Sequence, residues 1–233
     1  GRAAAGRVAD SGADVWIPDD TAWGSISSVE LAEESDGGPG TVVALSPIYM
    51  VADDAVAGRL TDAGRSWRGL AELAVSESGV VLRVRDPAGS GDGLIGVGSV
   101  GEAVWLDDGM DASAEALATA LPATRTVLGQ PVPAAGEVGL IAEYALIRLL
   151  AGNGEDAARI QEASVFAVTD HSAVLRYTWL PTAAAMDDPA LARPLERVLS
   201  ALTGGEADEA LAAAGLRRPE GGPEPEPRPC ALV

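Results

Sequence analysis

Lysine is absent from this sequence. All 16 basic residues are arginine, set against 35 aspartates and glutamates, for a formal net charge of −19. Affinity for nucleic-acid phosphates comes from clustered Lys and Arg, so a chain this acidic excludes DNA and RNA as partners. Cysteine is almost missing too: Cys230 stands alone in the last four residues, which rules out an intrachain disulfide. The single histidine, His171, falls at an expected turn. No His, Cys or carboxylate spacing around it suits a metal site or a catalytic triad, so it reads as an exposed side chain. Long apolar runs are lacking as well. The most apolar stretch, Val138 to Ala151, carries Glu143 and Arg148 and falls short of the about 20 residues a bilayer span needs. Nothing reads as a signal peptide and the chain does not open on Met, the pattern of a mature or trimmed chain.

What is present is globular. Hydrophobic residues make up 47% and charged ones 22% of 233 residues, enough for one large domain or two lobes with a substantial core. Strand and helix signals alternate, which points to an α/β protein. Val15 to Pro18, Val42 to Val51 and Val80 to Val84 are short apolar runs that read as buried strands. Ser66 is placed to cap a helix before the third of them. Leu94 to Leu106 has helical spacing, with Leu94, Val97, Val104 and Trp105 inward despite its glycines. A second helix is expected from Asp111 to Leu121, ended by Pro122 and joined to the first through 107–111. Glu137 to Leu150 is the clearest amphipathic helix, with Leu140, Ile141, Tyr144, Ile147 and Leu150 on one stripe. Val165 to Val168 and Ala173 to Trp179 read as strands around a turn at Asp170 and His171, before closing helices at Pro189 to Leu202 and Glu206 to Ala214. Residues 217–229 alternate Pro, Glu and Arg, a composition for an extended linker.

Few constellations carry chemistry by themselves. Gly91-Asp-Gly93-Leu-Ile-Gly96 matches the dinucleotide fingerprint and follows an expected strand. That use also needs an acidic residue ending a second strand about 20 residues on, and 107–111 lies between helices instead. With 28 glycines in the chain, the match is cheap. Gly-x-Ser-x-Gly does not occur, since Val97 precedes Gly98-Ser99-Val100-Gly101. The carboxylates are scattered, which gives paired-carboxylate hydrolysis no support. The terminal Cys-Ala-Leu-Val matches a prenylation box by letter, but a tail residue is the better reading.

Four segments, taken in order, carry a resemblance. Residues 206–221 form an Ala-rich helix closing at Gly215 with an Arg-Arg-Pro-Glu-Gly exit, similar to a closing "AAAGFRPPDG" pattern. Ala-Asp-Val-Trp-Ile-Pro-Asp-Asp-Thr-Ala-Trp at 13–23 looks like "DVWIPDSSAW". Thr41 to Val51 is similar to "ASSPVVIAVP", and Ser66 to Leu73 followed by Val81 to Pro87 resembles "SWADLL…LRLADPDRS". Together they resemble bacterial extracellular solute-binding proteins, in the actinobacterial branch of type 2 periplasmic-binding-like domains often found beside a von Willebrand factor A domain. The all-Arg, Ala- and Gly-rich composition agrees with a GC-rich genome.

The resemblance implies an α/β fold of the two-lobed type 2 periplasmic-binding-protein kind. Its usual first strand–helix–strand unit has no counterpart before residue 13. Lobe I is expected over 1–47 plus 165–216 and lobe II over 48–164, with 217–233 as a tail. It implies an extracellular, non-enzymatic domain without a cofactor, anchored to a membrane through parts outside this chain. That domain would hold a small ligand, an anion among the candidates, in an interlobe cleft. An ABC permease or a von Willebrand factor A domain is the implied partner. The alternative is a ligand-free interaction module acting through a neighbouring domain.

Eight residues are implied ligand contacts. Gly89, Ser90 and Gly91 form the strand-to-helix turn after Asp86, where amides and the Ser90 hydroxyl suit an anion or carboxylate; the plain alternative is a capped turn. Thr21 follows the 13–18 strand and is placed to cap a short helix. Trp23 stacks on ligand or packs in the core, and Ser46 offers a hydroxyl or marks a hinge before Pro47. Glu137 contacts ligand or complements a helix dipole, and Tyr177 completes the set.

Overall fold

The computed structural model describes residues 2–25, 30–31, 40–76, 79–120, 124–170 and 173–219, with backbone alone at 2–4, 9, 25 and 106–120. His171, Pro122, Cys230 and the tail from 220 onward lie outside the described residues. The chain divides into two compact units, changing from one to the other between Ser46 and Pro47 and again between Val174 and Leu175.

The chain enters the first unit through α1 (Arg2–Ser11), β1 (Val15–Trp16) and the short α2 (Ala22–Ser25). It then runs into β2 (Thr41–Ala52), whose second half belongs to the other unit. The second unit continues with α3 (Asp54–Asp62), α4 (Trp67–Val75), β3 (Val81–Arg85), α5 (Gly91–Ala120) and β4 (Thr124–Val127). After them come β5 (Glu137–Ala142), α6 (Glu143–Ala151), α7 (Glu155–Glu162) and β6 (Ser164–Phe166). β7 (Val174–Pro181) returns the chain to the first unit, which closes with α8 (Ala183–Asp187), α9 (Ala192–Thr203), a 3-10 turn at Gly205–Ala207 and α10 (Asp208–Ala213).

In the first unit β1 pairs antiparallel with β7, Val15 opposite Pro181. Ala5, Val8, Trp23, Val43, Ala44, Leu175, Trp179 and Ala185 are its buried apolar residues among those described. Thr182 caps α8 by accepting the Ala185 amide at 3.2 Å. The closing segment ties back through reciprocal backbone hydrogen bonds between Leu45 and Arg217.

In the second unit β5 pairs antiparallel with β2 and parallel with β3, and β3 pairs parallel with β4. β6 joins β2 antiparallel on its far side. β3 alternates, turning Leu82 and Val84 into a cluster with Trp67 and Leu70 of α4, Val100 and Val104 of α5, and Met50, Val138 and Leu140. The opposite face of the sheet carries Tyr49, Val51 and Ile141 against Ala145, Leu146 and Ile160 of α6 and α7. β5 is therefore covered on both faces and buried at every position, as expected of a central strand in an α/β layer.

Sequence expectations fare unevenly against these elements. β2, β3 and the Ser66 cap, which accepts the Gly69 amide at 2.9 Å, stand where the patterns put them. The expected helix from Glu137 is instead a strand to Ala142 and a helix from Glu143. Leu140 and Ile141, expected on one stripe, point to opposite faces of the sheet. The two helices expected over 94–121 form one continuous α5, and Trp105 is exposed rather than inward. β6 and β7 do not form a hairpin: β6 pairs with β2 inside the second unit, although the expected lobe boundary put 165 onward in the first.

Candidate functional site

Two parallel strands of the second unit finish beside each other, and each feeds a helix N-terminus. β3 leads through the turn at 86–90 into α5, and β5 passes straight into α6. Helix N-termini carry unpaired amide donors and partial positive charge, and open α/β sheets bind ligands at such strand ends.

The turn is held by its own polar groups. The Asp86 carbonyl accepts from the Gly89 amide at 2.9 Å and from Ser90 Oγ at 3.0 Å, while Asp86 Oδ1 takes the Ala88 amide at 3.0 Å. Ser90 Oγ in turn accepts the Gly93 amide at 3.3 Å and so caps α5. A Cβ at Gly93 would run into the Arg85 carbonyl, and one at Gly96 would stand 2.8 Å from Leu140 Cδ1. The Gly91-x-Gly93-x-x-Gly96 spacing thus lets α5 lie close on β3 and β5. The acidic stretch at 107–111, which a dinucleotide site would need at a strand end, lies inside α5.

Side chains from three elements meet here. Arg85, the last residue of β3, donates from Nη1 to Asp92 Oδ1 at 3.2 Å and to the Tyr144 hydroxyl at 3.3 Å. Asp92, in the first turn of α5, is 1% exposed. Burial works against the Arg85 charge, but the Asp92 carboxylate and Tyr144 outweigh it and hold the guanidinium above its ordinary pKa. Beside them on α6, buried Glu143 accepts from the Tyr49 hydroxyl of β2 at 3.2 Å. The arrangement offers a cation, a phenol and backbone amides, the groups that orient a small polar solute.

At the starting end of the same strands stands a different cluster. Glu137 is buried and accepts from Arg83 at 3.0 Å, from Arg125 at 2.7 Å and from the Ala134 amide at 2.9 Å. Burial would raise its pKa, yet these hydrogen bonds and the two arginines hold it below the ordinary carboxylate value. The 131–135 segment crosses the sheet so closely that a Cβ on Gly139 would run into the Pro131 carbonyl. Next to it an open hollow of about 670 Å³ is lined by Asp53, Asp54, Pro133, Arg159 and Glu162 among others.

The implied ligand residues distribute as follows. Gly89, Ser90 and Gly91 stand at the finishing strand ends of the second unit. Glu137 begins β5 rather than a helix and sits about 17 Å from the finish of that strand, by strand rise. Thr21, Trp23, Ser46 and Tyr177 belong to the first unit. Trp23 is a core residue whose indole donates to Asp19 Oδ1 at 2.9 Å. Thr21 is exposed, and Asp20, one residue earlier, accepts the first amide of α2, that of Ala22, at 2.7 Å. Ser46 is fully buried and Tyr177 half-buried. Sequence reading missed Arg85, Asp92, Glu143, Tyr144 and Tyr49. The one available signal was Arg83-Val84-Arg85-Asp86, charge at alternate positions in a strand that ends on a turn.

Comparison with solved structures places this fold. The chain is similar to the sulfate-binding protein SubI from Mycobacterium tuberculosis H37Rv, with 16% identity and a TM-score of 0.60 over 89% of this chain and 69% of that one. It is also similar to the periplasmic binding protein P5PA, with 10% identity and a TM-score of 0.54 over 95% of this chain and 73% of that one. No protein-family model matches the sequence, and no curated protein does. Identities this low show the fold alone, and the fold is the α/β architecture of periplasmic binding proteins. Among the described residues no helix is long and apolar enough to cross a membrane, and no group of His, Cys, Asp and Glu could hold a metal ion.

Proposed function

We propose that this chain is a non-catalytic, extracellular solute-binding domain that holds a small polar ligand at the finishing ends of β3 and β5. The observation that carries the reading is the Arg85–Asp92–Tyr144 cluster, set where two parallel strands feed two helix N-termini. The neighbours of this fold support it, since one is a sulfate-binding protein and the other a periplasmic binding protein. In this reading the two compact units are the two lobes of such a protein. Arg85 and Tyr144 supply donors to the ligand, while Ser90 shapes the turn. Delivery to an ABC permease, or action beside a von Willebrand factor A domain, follows as the cellular role.

The test is a thermal-shift screen of small polar solutes, followed by calorimetry of any stabilising solute against the wild type, Arg85→Gln and Tyr144→Phe. The expected outcome is a saturable ligand whose affinity falls about tenfold or more without the Arg85 charge, as the loss of a charge-assisted hydrogen bond dictates. A ligand indifferent to both variants would move the site elsewhere. A protein stabilised by no solute would favour the interaction-module reading.

A further inference from the structure

The proposed site has a charge of its own making, and that charge bears on which solutes enter; the inference rests on the finishing ends of β3 and β5 being the ligand end. Arg85 brings a guanidinium to this end, and Asp92 Oδ1 stands 3.2 Å from its Nη1. A fixed carboxylate this close cancels the pull of the guanidinium on any anion beyond the pair, leaving little more than a dipole. Asp92 also occupies the first turn of α5, where helix amides would otherwise favour a negative ligand. Of those amides, the one on Gly93 is already taken by Ser90 Oγ. The cation and the helix terminus that would attract a free dianion are both answered from within the chain.

We propose that Asp92 is a specificity-determining residue that bars free inorganic dianions. The solute is then a polar molecule without net charge, neutral or zwitterionic, whose acceptor groups meet Arg85 and Tyr144. On this point the chain parts from its structural neighbour SubI, a sulfate-binding protein. A solute without net charge forgoes nothing at the compensated pair, because it can still orient an acceptor toward the Arg85 guanidinium, the more exposed member of the two.

The test uses inorganic sulfate as the probe, titrated into the whole chain by calorimetry with sodium chloride of matched ionic strength as the control. Wild type is expected to give no saturable heat. Asp92→Asn, which keeps the side-chain shape and uncovers the Arg85 charge, is expected to gain sulfate affinity by about tenfold or more, the scale of an uncompensated charge near a protein surface. A buried residue with a purely structural role would lower thermal stability in this variant and leave sulfate unbound. Micromolar sulfate binding by the wild type overturns the proposal, and so does an Asp92→Asn protein no better than wild type. The wild-type arm can overturn the proposal even if the variant does not fold. Arg85→Gln separates the two levels. If it weakens the solute found by screening while Asp92→Asn leaves sulfate unchanged, the site is right and the charge rule wrong; if it does neither, the site itself is misplaced.

Discussion

At the start of β3 and β5, Glu137 gathers Arg83, Arg125 and the Ala134 amide, so that its two oxygens join two neighbouring strands and the 131–136 segment. At the finish of the same strands, Arg85 shares one nitrogen between Asp92 and Tyr144, at the longer distances of 3.2 and 3.3 Å. Both ends put arginine against a buried carboxylate. At the first, the carboxylate is the centre, tying arginines of β3 and β4 to the loop that crosses tightly over Gly139. At the second, the arginine is the centre, and its neighbours come from the N-termini of two helices, where an α/β sheet exposes its ligand-facing groups. An ion pair alone therefore does not mark a site; the proposal for Arg85 rests on where the pair stands along the strand direction.

The comparison breaks most visibly at Glu137. Glu137→Gln leaves Arg83 facing a neutral amide at a buried position, and removing one member of such a pair destabilises by about 3 kcal/mol. Most of that loss belongs to Arg83, because Arg125 is largely exposed and its share is screened. Denaturant unfolding is expected to show this loss while ligand affinity stays unchanged. A variant as stable as wild type would demote the cluster to a surface pair. The pH dependence follows from the lowered Glu137 pKa. Its stabilisation is complete above the ordinary carboxylate value of 4.5 and is lost as pH falls through the lower folded value. Asp53 acts in the same direction, held down by hydrogen bonds from the Val56 and Gly136 amides. Acid unfolding followed by circular dichroism is expected to shift to higher pH and lose steepness in Glu137→Gln, because the variant has already lost that stabilisation.

These two ends also differ in how far the sequence disclosed them. Strands with one buried face, such as β3 with Leu82 and Val84 inward, leave an alternation that can be read directly. β5 leaves none: buried on both faces, its Val-Gly-Leu-Ile-Ala run passes into α6 with no turn residue between them and imitates one long helix. Misreading β5 also misplaced Glu137, which looked like a helix-dipole residue and proved to open a strand. The continuity of α5 was hidden for the converse reason, since Gly109 among acidic residues resembles a break. The Ser90 turn was legible because a cap is local chemistry. The Arg85 cluster was not, because it joins positions 85, 92 and 144, which only the parallel pairing of β3 and β5 brings together.

At the finishing end the expected effects fall on binding before stability. Tyr144→Phe removes one hydroxyl and leaves the Arg85–Asp92 pair in place. If the phenol contacts solute, calorimetry should show a loss of about 0.5–1.5 kcal/mol, the net worth of one neutral hydrogen bond. Unchanged affinity would restrict the ligand-facing donors to Arg85 and the amides.

The smallest and most discriminating change is Ser90→Ala. Its hydroxyl is committed twice inside the turn, donating to the Asp86 carbonyl and accepting from the Gly93 amide. Both contacts serve the cap of α5, so the substitution is expected to lower stability by about 1 kcal/mol, the usual worth of an N-cap serine. Solute affinity is expected to stay within about twofold of wild type, because no ligand hydrogen bond is lost. Stability falls while affinity holds only if the hydroxyl serves the fold. Should calorimetry instead show weakened binding with an unchanged melting temperature, Ser90 would be a ligand contact whose bonds to Asp86 and Gly93 give way on binding. The finishing end would then extend from Arg85 and Tyr144 onto the turn itself.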